Sequence, residues 1–213
     1  MLRKSLNLIF FFLYYSNFII RTFNYFLLPL ESDWEGFKNL NLKKKDIILD
    51  IGSHWGESYL IFRKYFKNSI YCYEPNNVSF KYLKKLSIND KKSKIFNFGI
   101  YHKNLKKNLF FPSYKNKELT LWGSDNLNNL KSRFKKHTFM NIERVNFISK
   151  YCTFKKLSFI KNVALIKIDV EGAEYQVLQG INKKIIYNSK IIFVEYHQSN
   201  FLKIKKFLKK FKF

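Results

Sequence analysis

The fold of this chain is decided by the stretch Asp46-Ile47-Ile48-Leu49-Asp50-Ile51-Gly52-Ser53-His54-Trp55-Gly56. A short apolar run ends in an acid, two glycines follow four residues apart, and helical apolar spacing then continues. The pattern predicts a buried strand, a tight turn, and a helix that packs back on a sheet. Gly52 would let the turn take a positive φ, and Gly56 would let the helix approach it closely. Asp50 would then lie at the carboxyl end of a strand, where open α/β sheets bind ligands.

The residues of this turn limit the kinds of ligand that it can bind. A dinucleotide site uses three glycines and presents a phosphate to a helix N-terminus, whereas this turn has two glycines and Asp50 would repel a pyrophosphate. A P-loop needs Gly-Lys-Ser/Thr, where this chain has Gly56-Glu57-Ser58. A second apolar run ends in Glu74, 24 residues past Asp50, near the offset of a ribose-binding acid. One acid for a cationic group and one for a ribose indicate a nucleoside with a positive centre, which describes S-adenosylmethionine.

Strands and helices alternate along the chain from residue 46, and a βαβαβ order predicts a right-handed parallel sheet with helices packed against it. The predicted strands are 46–51, 69–73, 94–98, one that begins at Val163, and 191–197, and the predicted helices are 56–66, about 77–87, one after Gly172, and 201–213. The rhythm breaks over 100–160, where Leu109–Phe111 and Leu119–Trp122 could form a hairpin. We interpret this region as an insertion over the carboxyl edge of the sheet, where a substrate cover would lie.

The chain is strongly basic, with 40 Lys plus Arg against 15 Asp plus Glu and a formal charge of +25. That excess could reflect nucleic acid or anionic lipid as a partner, or only A/T-rich codons, because Lys, Asn, Ile, Phe and Tyr are all abundant. Cys72 and Cys152 make no disulfide framework and are typical of buried small hydrophobes in a reducing compartment. Five acids fall at the ends of predicted strands: Asp50, Glu74, Asp169, Glu171 and Glu195.

Residues 1–30 are apolar and aromatic, and we separate them from a domain over 31–213. Their uncharged run, Ser5–Ile20, has 16 residues, short of the roughly 20 needed to span a bilayer. Three interpretations stay open: a helix packed on the domain, a helix in the membrane plane, or a span. The last segment, 201–213, alternates apolar residues and lysine at helical spacing. We expect a cytoplasmic protein, with peripheral contact to the inner face of the membrane through these two segments.

Three further segments, added to the first, resemble one family. They are Tyr73-Glu74-Pro75, then Ile166-Lys167-Ile168-Asp169-Val170-Glu171-Gly172-Ala173-Glu174, then Val194-Glu195-Tyr196-His197. Together they are similar to the FkbM-type S-adenosylmethionine-dependent methyltransferases over roughly 46–197. The resemblance implies an α/β fold of the Rossmann-like class I methyltransferase type, a mostly parallel sheet with helices on both faces. It also implies O-methylation of a hydroxyl on a sugar, glycan or small metabolite.

Carried over by position, the resemblance assigns cofactor binding to Asp50, Gly52, Ser53, Gly56 and Glu74. The family usually has a Leu-Asp pair before its fourth strand, and the corresponding stretch here, 146–151, has no acid. The family also continues into a further antiparallel pair of strands, so that this chain, ending at Phe213, is expected to be shortened at its C-terminus.

Methyl transfer to a hydroxyl needs positioning and a proton acceptor. Asp169, Glu171 and His197 should project at the carboxyl edge, and we name them as the candidate catalytic residues. Turn capping and helix N-terminal charge are the alternative explanation for the first two. Asp169, Glu195 and His197 could instead gather a divalent metal, so the metal content stays unknown.

Two other function classes remain. The basic surface could serve nucleic-acid binding or RNA methylation, although the Asn/Asp-Pro-Pro-Tyr run of amino-methylating enzymes is replaced here by Asp169-Val170-Glu171-Gly172. We expect no specific nucleic acid. The domain could also be a degenerate cofactor-binding module without activity.

Overall fold

A computed structural model of the chain describes residues 36–114, 117–120, 123–136, 145–196 and 200–213. The helix predicted for 1–30, residue Trp122 and the candidate His197 lie outside these ranges. The chain forms two compact units, Met1–Leu40 and Asn41–Phe213. Of the first, only a short 3-10 helix at Gly36–Asn39 and the residue after it are described; everything that follows concerns the second unit.

The described elements of the second unit follow the alternation that the sequence predicts. They are β1 Ile47–Ile51, α1 Glu57–Tyr65, β2 Ser69–Tyr73, α2 Asn77–Leu86, β3 Ser93–Phe96, β4 Gly99–Ile100, β5 Leu105–Tyr114, β6 Lys117–Glu118, α3 Leu127–Lys136, β7 Val145–Lys155, β8 Val163–Ile168, α4 Glu174–Gly180, α5 Lys183–Asn188, β9 Ile191–Val194 and α6 Phe201–Leu208, which continues as a 3-10 turn at Lys209–Phe211. Within the described ranges, no helix combines the length and apolarity that crossing a membrane requires.

A five-stranded parallel sheet in the order β3-β2-β1-β8-β9 forms the centre of the unit. Its inner strand β8 is buried along its whole length, which explains the nearly unbroken apolar run in the sequence. From β1 the chain builds outward to β2 and β3, and from β8 it builds outward to β9 on the other side. The strand order therefore reverses between β1 and β8, the place where sheets of this kind bind ligands.

Side chains alternate between the two faces of this sheet. Leu49 and Ile51 of β1 share a buried cluster with residues of α4, α5 and α6. Asp50, between them, points to the other face, where the Ser58 hydroxyl of α1 donates a hydrogen bond to it at 2.7 Å. Helices therefore cover both faces, and the predicted Rossmann-like α/β fold with a mostly parallel sheet is confirmed.

A second sheet, in the order β4-β7-β5-β6, is built from the stretch that breaks the alternation. Its main pairing joins β5 and β7 antiparallel over their length, from Leu105 opposite Phe154 to Tyr114 opposite Val145. The predicted hairpin was only partly right, because β5 meets β6 at just two residue pairs and its long partner lies further along the chain. Two predicted strand ends also differ: the third strand of the parallel sheet ends at Phe96 and the fifth at Val194.

The end of α4 joins the two sheets. The Leu157 amide, just after β7, donates to the Gly180 carbonyl at 2.9 Å, and a Cβ on Gly180 would lie 2.2 Å from the carbonyl oxygen of Tyr101. Tyr101 follows β4 and its amide donates to Lys155 at the end of β7. The missing side chain of Gly180 is therefore what lets the helix of one sheet contact the backbone of the other.

Replacement of Gly180 tests this contact, because two effects predict opposite changes in the free energy of unfolding. Helix propensity alone predicts that Gly180→Ala stabilises the protein by about 0.5–1 kcal/mol. The clash with the Tyr101 backbone predicts a loss of about 1–3 kcal/mol instead, and we expect the loss. Urea unfolding of Gly180→Ala, beside the exposed neighbour Gln179→Ala as control, distinguishes the two. A more stable Gly180→Ala would contradict the close contact.

Candidate active site

A buried ion pair lies where the strand order reverses. Asp50 of β1 and Lys167 of β8 are register partners in the parallel pairing, and their side chains approach to 3.5 Å between Nζ and Oδ1. Both are almost completely buried. Lys167 Nζ also lies 3.3 Å from a carboxylate oxygen of Asp169, which follows the same strand. One ammonium group thus holds two carboxylates at the carboxyl edge of the sheet.

Burial and charge act against each other in this group. Burial lowers the pKa of the Lys167 ammonium, but the Asp169 and Asp50 carboxylates outweigh it and raise the pKa overall. Burial raises the pKa of the Asp50 carboxyl, and the Lys167 ammonium and the Ser58 hydroxyl oppose that rise. We conclude that Lys167 is charged and that its charge is needed to keep the buried Asp50 side chain as a carboxylate.

The glycine turn after β1 is fastened to this ion pair. Lys167 Nζ donates to the Gly52 carbonyl at 2.9 Å, and Gly52 has a φ of 79°. A Cβ on Gly52 would lie 1.7 Å from the Asp169 carbonyl oxygen, so no other residue fits here without displacing β8. At the far end of the turn, a Cβ on Gly56 would meet Leu83 and Leu86 of α2 below 3 Å. The turn is therefore closed tightly against both neighbours.

Glu74 follows β2 on the same edge and faces the turn. Its two carboxylate oxygens accept hydrogen bonds from the backbone amides of His54 at 2.9 Å and Asn76 at 2.7 Å. Burial raises the pKa of the Glu74 carboxyl to about 7, against the opposing effects of His54 and of these two amides. The Glu74 carboxyl thus changes its charge near neutral pH, and its protonation state determines which hydrogen bonds it can accept.

A cleft opens between the carboxyl edge of the parallel sheet and the second sheet, with about 860 Å³ of atom-free space, part of it open to solvent. One wall comes from the strand ends, with Gly52, Glu74, Asp169 and Glu171. The other wall comes from the region we interpret as an insertion, and includes Tyr101, Lys107, Phe111, Thr120, Asp125 and Phe154.

The structure brings some of the predicted site residues together and not others. Gly52, Glu74, Asp169 and Glu171 all line the cleft. Three more, Asp50, Ser53 and Gly56, are buried behind the turn and do not line it. The Ser53 hydroxyl donates to the Asp50 carbonyl at 2.8 Å, so these residues shape the turn. In this structure Asp50 contacts the Lys167 ammonium, and its assignment to cofactor binding stays a prediction.

Several residues of this site were not assigned a role from the sequence. Lys167 had a signal, a single charge inside the apolar run of β8, which a buried strand tolerates only when the charge is paired. His54 was quoted in the motif without a role; its ring Nε2 shares a hydrogen bond with Thr120 Oγ1 at 2.8 Å and so connects the turn to the opposite wall. Lys107 and Asp125 form an ion pair of 2.6 Å on that wall, with no local sequence signal.

Metal ligation finds no support among the residues placed by the structure. In the described ranges, no group of three or more His, Cys, Asp or Glu side chains is close enough to hold an ion. The sequence hypothesis combined Asp169 and Glu195 with His197, and the last of these lies outside the described residues.

The ion pair predicts a specific pattern of coupled stability. Lys167→Met should lower the free energy of unfolding by about 3–5 kcal/mol, because it leaves the Asp50 carboxylate buried without its cation. Adding Asp50→Asn should recover part of that loss, since the neutral amide can still accept from Ser58. Urea unfolding of both single variants and the double variant gives the coupling energy, which should exceed about 1 kcal/mol. Strictly additive losses would contradict a direct pairing.

Comparison with known proteins agrees with this geometry. The profile of the family described as "Methyltransferase FkbM domain" matches residues 50–213, well over half of the chain. The match begins at Asp50 and includes every described residue of the cleft wall. No curated protein and no solved structure matches the chain. The resemblance inferred from the sequence motifs is confirmed, and the chain belongs to the FkbM methyltransferase family.

Proposed function

We propose that the chain uses S-adenosylmethionine to methylate a hydroxyl group on a sugar, glycan or other small metabolite. The observation that carries this proposal is the charge of the cleft. Its described lining contains four acids, Glu74, Asp125, Asp169 and Glu171, and one lysine, Lys107, in a chain with 40 Lys plus Arg and 15 Asp plus Glu. A cleft of the opposite sign to its surroundings favours a cationic ligand.

The residues of the cleft fit this cofactor. Gly52 lines the cleft without a side chain, so its backbone can lie against the ligand. Glu74 offers carboxylate oxygens to ribose hydroxyls, as acids after the second strand do in nucleoside sites. Asp169 is held in place by the Lys167 ammonium and places a negative charge near a cationic centre. Bound there, the cofactor would supply an electrophilic methyl group and leave as a neutral thioether.

Of the two acids after β8, we assign proton acceptance to Glu171. The Asp169 carboxylate lies 3.3 Å from the Lys167 ammonium group, a contact that holds it in place. Glu171 lines the cleft in the left-handed region at a φ of 58°, a strained conformation that clusters at functional sites. As the acceptor oxygen bonds to the methyl carbon, its proton would pass to the Glu171 carboxylate.

The second sheet supports a small, uncharged acceptor. Its wall of the cleft is aromatic, with Tyr101, Phe111 and Phe154, and the charge of Lys107 there is neutralised by Asp125 at 2.6 Å. A nucleic acid would bring phosphates toward the cleft acids, which disfavours RNA methylation at this site. The free, buried thiols Cys72 and Cys152 suit a reducing compartment, and we propose the cytoplasm.

Glu74 makes cofactor binding dependent on pH. Ribose hydroxyls donate best to the ionised carboxylate, which is lost as the pH falls through about 7. We expect the affinity of the full chain for S-adenosylmethionine, measured by calorimetry, to fall about tenfold between about pH 8 and about pH 6. Glu74→Gln should bind at least about tenfold more weakly at the higher pH and show little of this dependence.

The matched control is Glu195→Gln, the same chemical change at the end of β9, where the side chain is exposed and outside the cleft lining. It should keep both the affinity and the pH profile of the wild type. No binding of the cofactor by the wild type at any pH would refute the proposed function.

Glu171→Gln separates catalysis from binding. If Glu171 accepts the proton, the variant should bind S-adenosylmethionine within about threefold of the wild type and lose at least about a hundredfold in rate. Transfer of a labelled methyl group to a panel of hydroxyl-bearing sugars and metabolites gives the rate. Asp169→Asn should instead weaken cofactor binding. A Glu171→Gln enzyme with the wild-type rate would remove the assignment.

A further inference from the structure

Helix α6 packs one apolar side against its own domain. Ile204 is buried, and Phe207, Leu208 and Phe211 pack against the core of the parallel sheet. The Phe207 ring meets Tyr175 of α4 edge-on at 6.0 Å. The apolar side that the sequence predicts for this helix is therefore occupied by its own domain, and insertion of that side into a membrane would require the helix to detach.

The opposite side of α6 and its 3-10 turn carries charge of one sign. Lys206 lies four residues after Leu202, and Lys209 lies three residues after Lys206, which places the three on one side of the helix. Leu202 is 74% exposed, and the lysines are exposed as well. We define the basic face as these three residues with their exposed neighbours: Leu202, Lys203, Lys205, Lys206, Lys209 and Lys210. No acidic residue occurs anywhere in 201–213.

We propose that the basic face docks the protein on an anionic lipid surface, with Leu202 entering the interface. A cluster of lysines without acids gains most beside a surface of opposite charge. An exposed aliphatic side chain among those lysines adds apolar burial at a lipid interface. The face is the convex outside of a helix, unlike the grooves with aromatic platforms that bind single-stranded nucleic acid.

This docking would bring the cleft close to the lipid surface. Asn200, directly before α6, donates from its side-chain amide to the Gly172 carbonyl at 3.0 Å. Gly172 follows Glu171 in the turn that lines the cleft. The end of the basic face that carries Leu202 therefore lies beside the cleft rim. The anionic surface meets the lysines while the acidic cleft stays free for its own ligand.

The test measures partition of the full chain onto vesicles of phosphatidylcholine alone and of phosphatidylcholine with phosphatidylglycerol. Any contribution of residues 1–35 to neutral vesicles cancels in the ratio of the two partition coefficients. We expect the ratio to be well above one at low salt and to fall as salt rises. The double variant Lys206→Glu, Lys209→Glu should lower the ratio at least about tenfold.

The control is Lys81→Glu, Lys85→Glu, which makes the same charge change on exposed positions of α2, a helix that packs on β3 at the other edge of the sheet. It should keep the wild-type ratio, and thermal unfolding should show that both variants fold. Leu202→Gln should weaken binding while leaving the salt dependence unchanged. Equal ratios in the two double variants would overturn the proposal, and so would a single-stranded RNA oligomer that displaces the wild type from the anionic vesicles.

Discussion

The pairing of Asp50 with Lys167 is the interaction on which the rest of the site depends. The two residues are register partners on adjacent parallel strands, at the point where the strand order reverses. Because both are buried, each charge offsets part of the cost of burying the other. Through its ammonium group Lys167 also reaches the Gly52 carbonyl and the Asp169 carboxylate. The Lys167 side chain therefore fixes the position of the glycine turn after β1, of the end of β8, and of the Asp169 carboxylate that faces the cleft.

The molecule separates its charges in space. Four carboxylates line one cleft, whereas the chain as a whole carries a formal charge of +25, part of it gathered on α6. This separation supports both proposals, a cationic cofactor in the cleft and an anionic lipid surface at α6. Part of the basic charge of the sequence therefore has a defined location in the structure, whether or not codon bias is the origin of the lysine content.

The parallel sheet and its acids could be predicted because their signals are local. Asp50, Gly52 and Glu74 stand at the ends of short apolar runs, and parallel strands bring such ends to one edge. The opposite wall could not be predicted, because β5 pairs with β7 some 40 residues later and no local pattern encodes that partner. Thr120, the hydrogen-bond partner of His54, lies in the same region. The ion pair of Asp50 could not be predicted for a related reason, since its partner Lys167 lies 117 residues away in the sequence.

We propose above that the cleft at the carboxyl edge of the parallel sheet holds S-adenosylmethionine. Amide hydrogen exchange of the full chain with and without the cofactor is the decisive experiment, because it reports where the ligand binds. We expect protection in the segments around Gly52, Glu74, Tyr101 and Asp169, with little change in α2 or α6. Protection confined to other segments, or no protection at saturating cofactor, would contradict it.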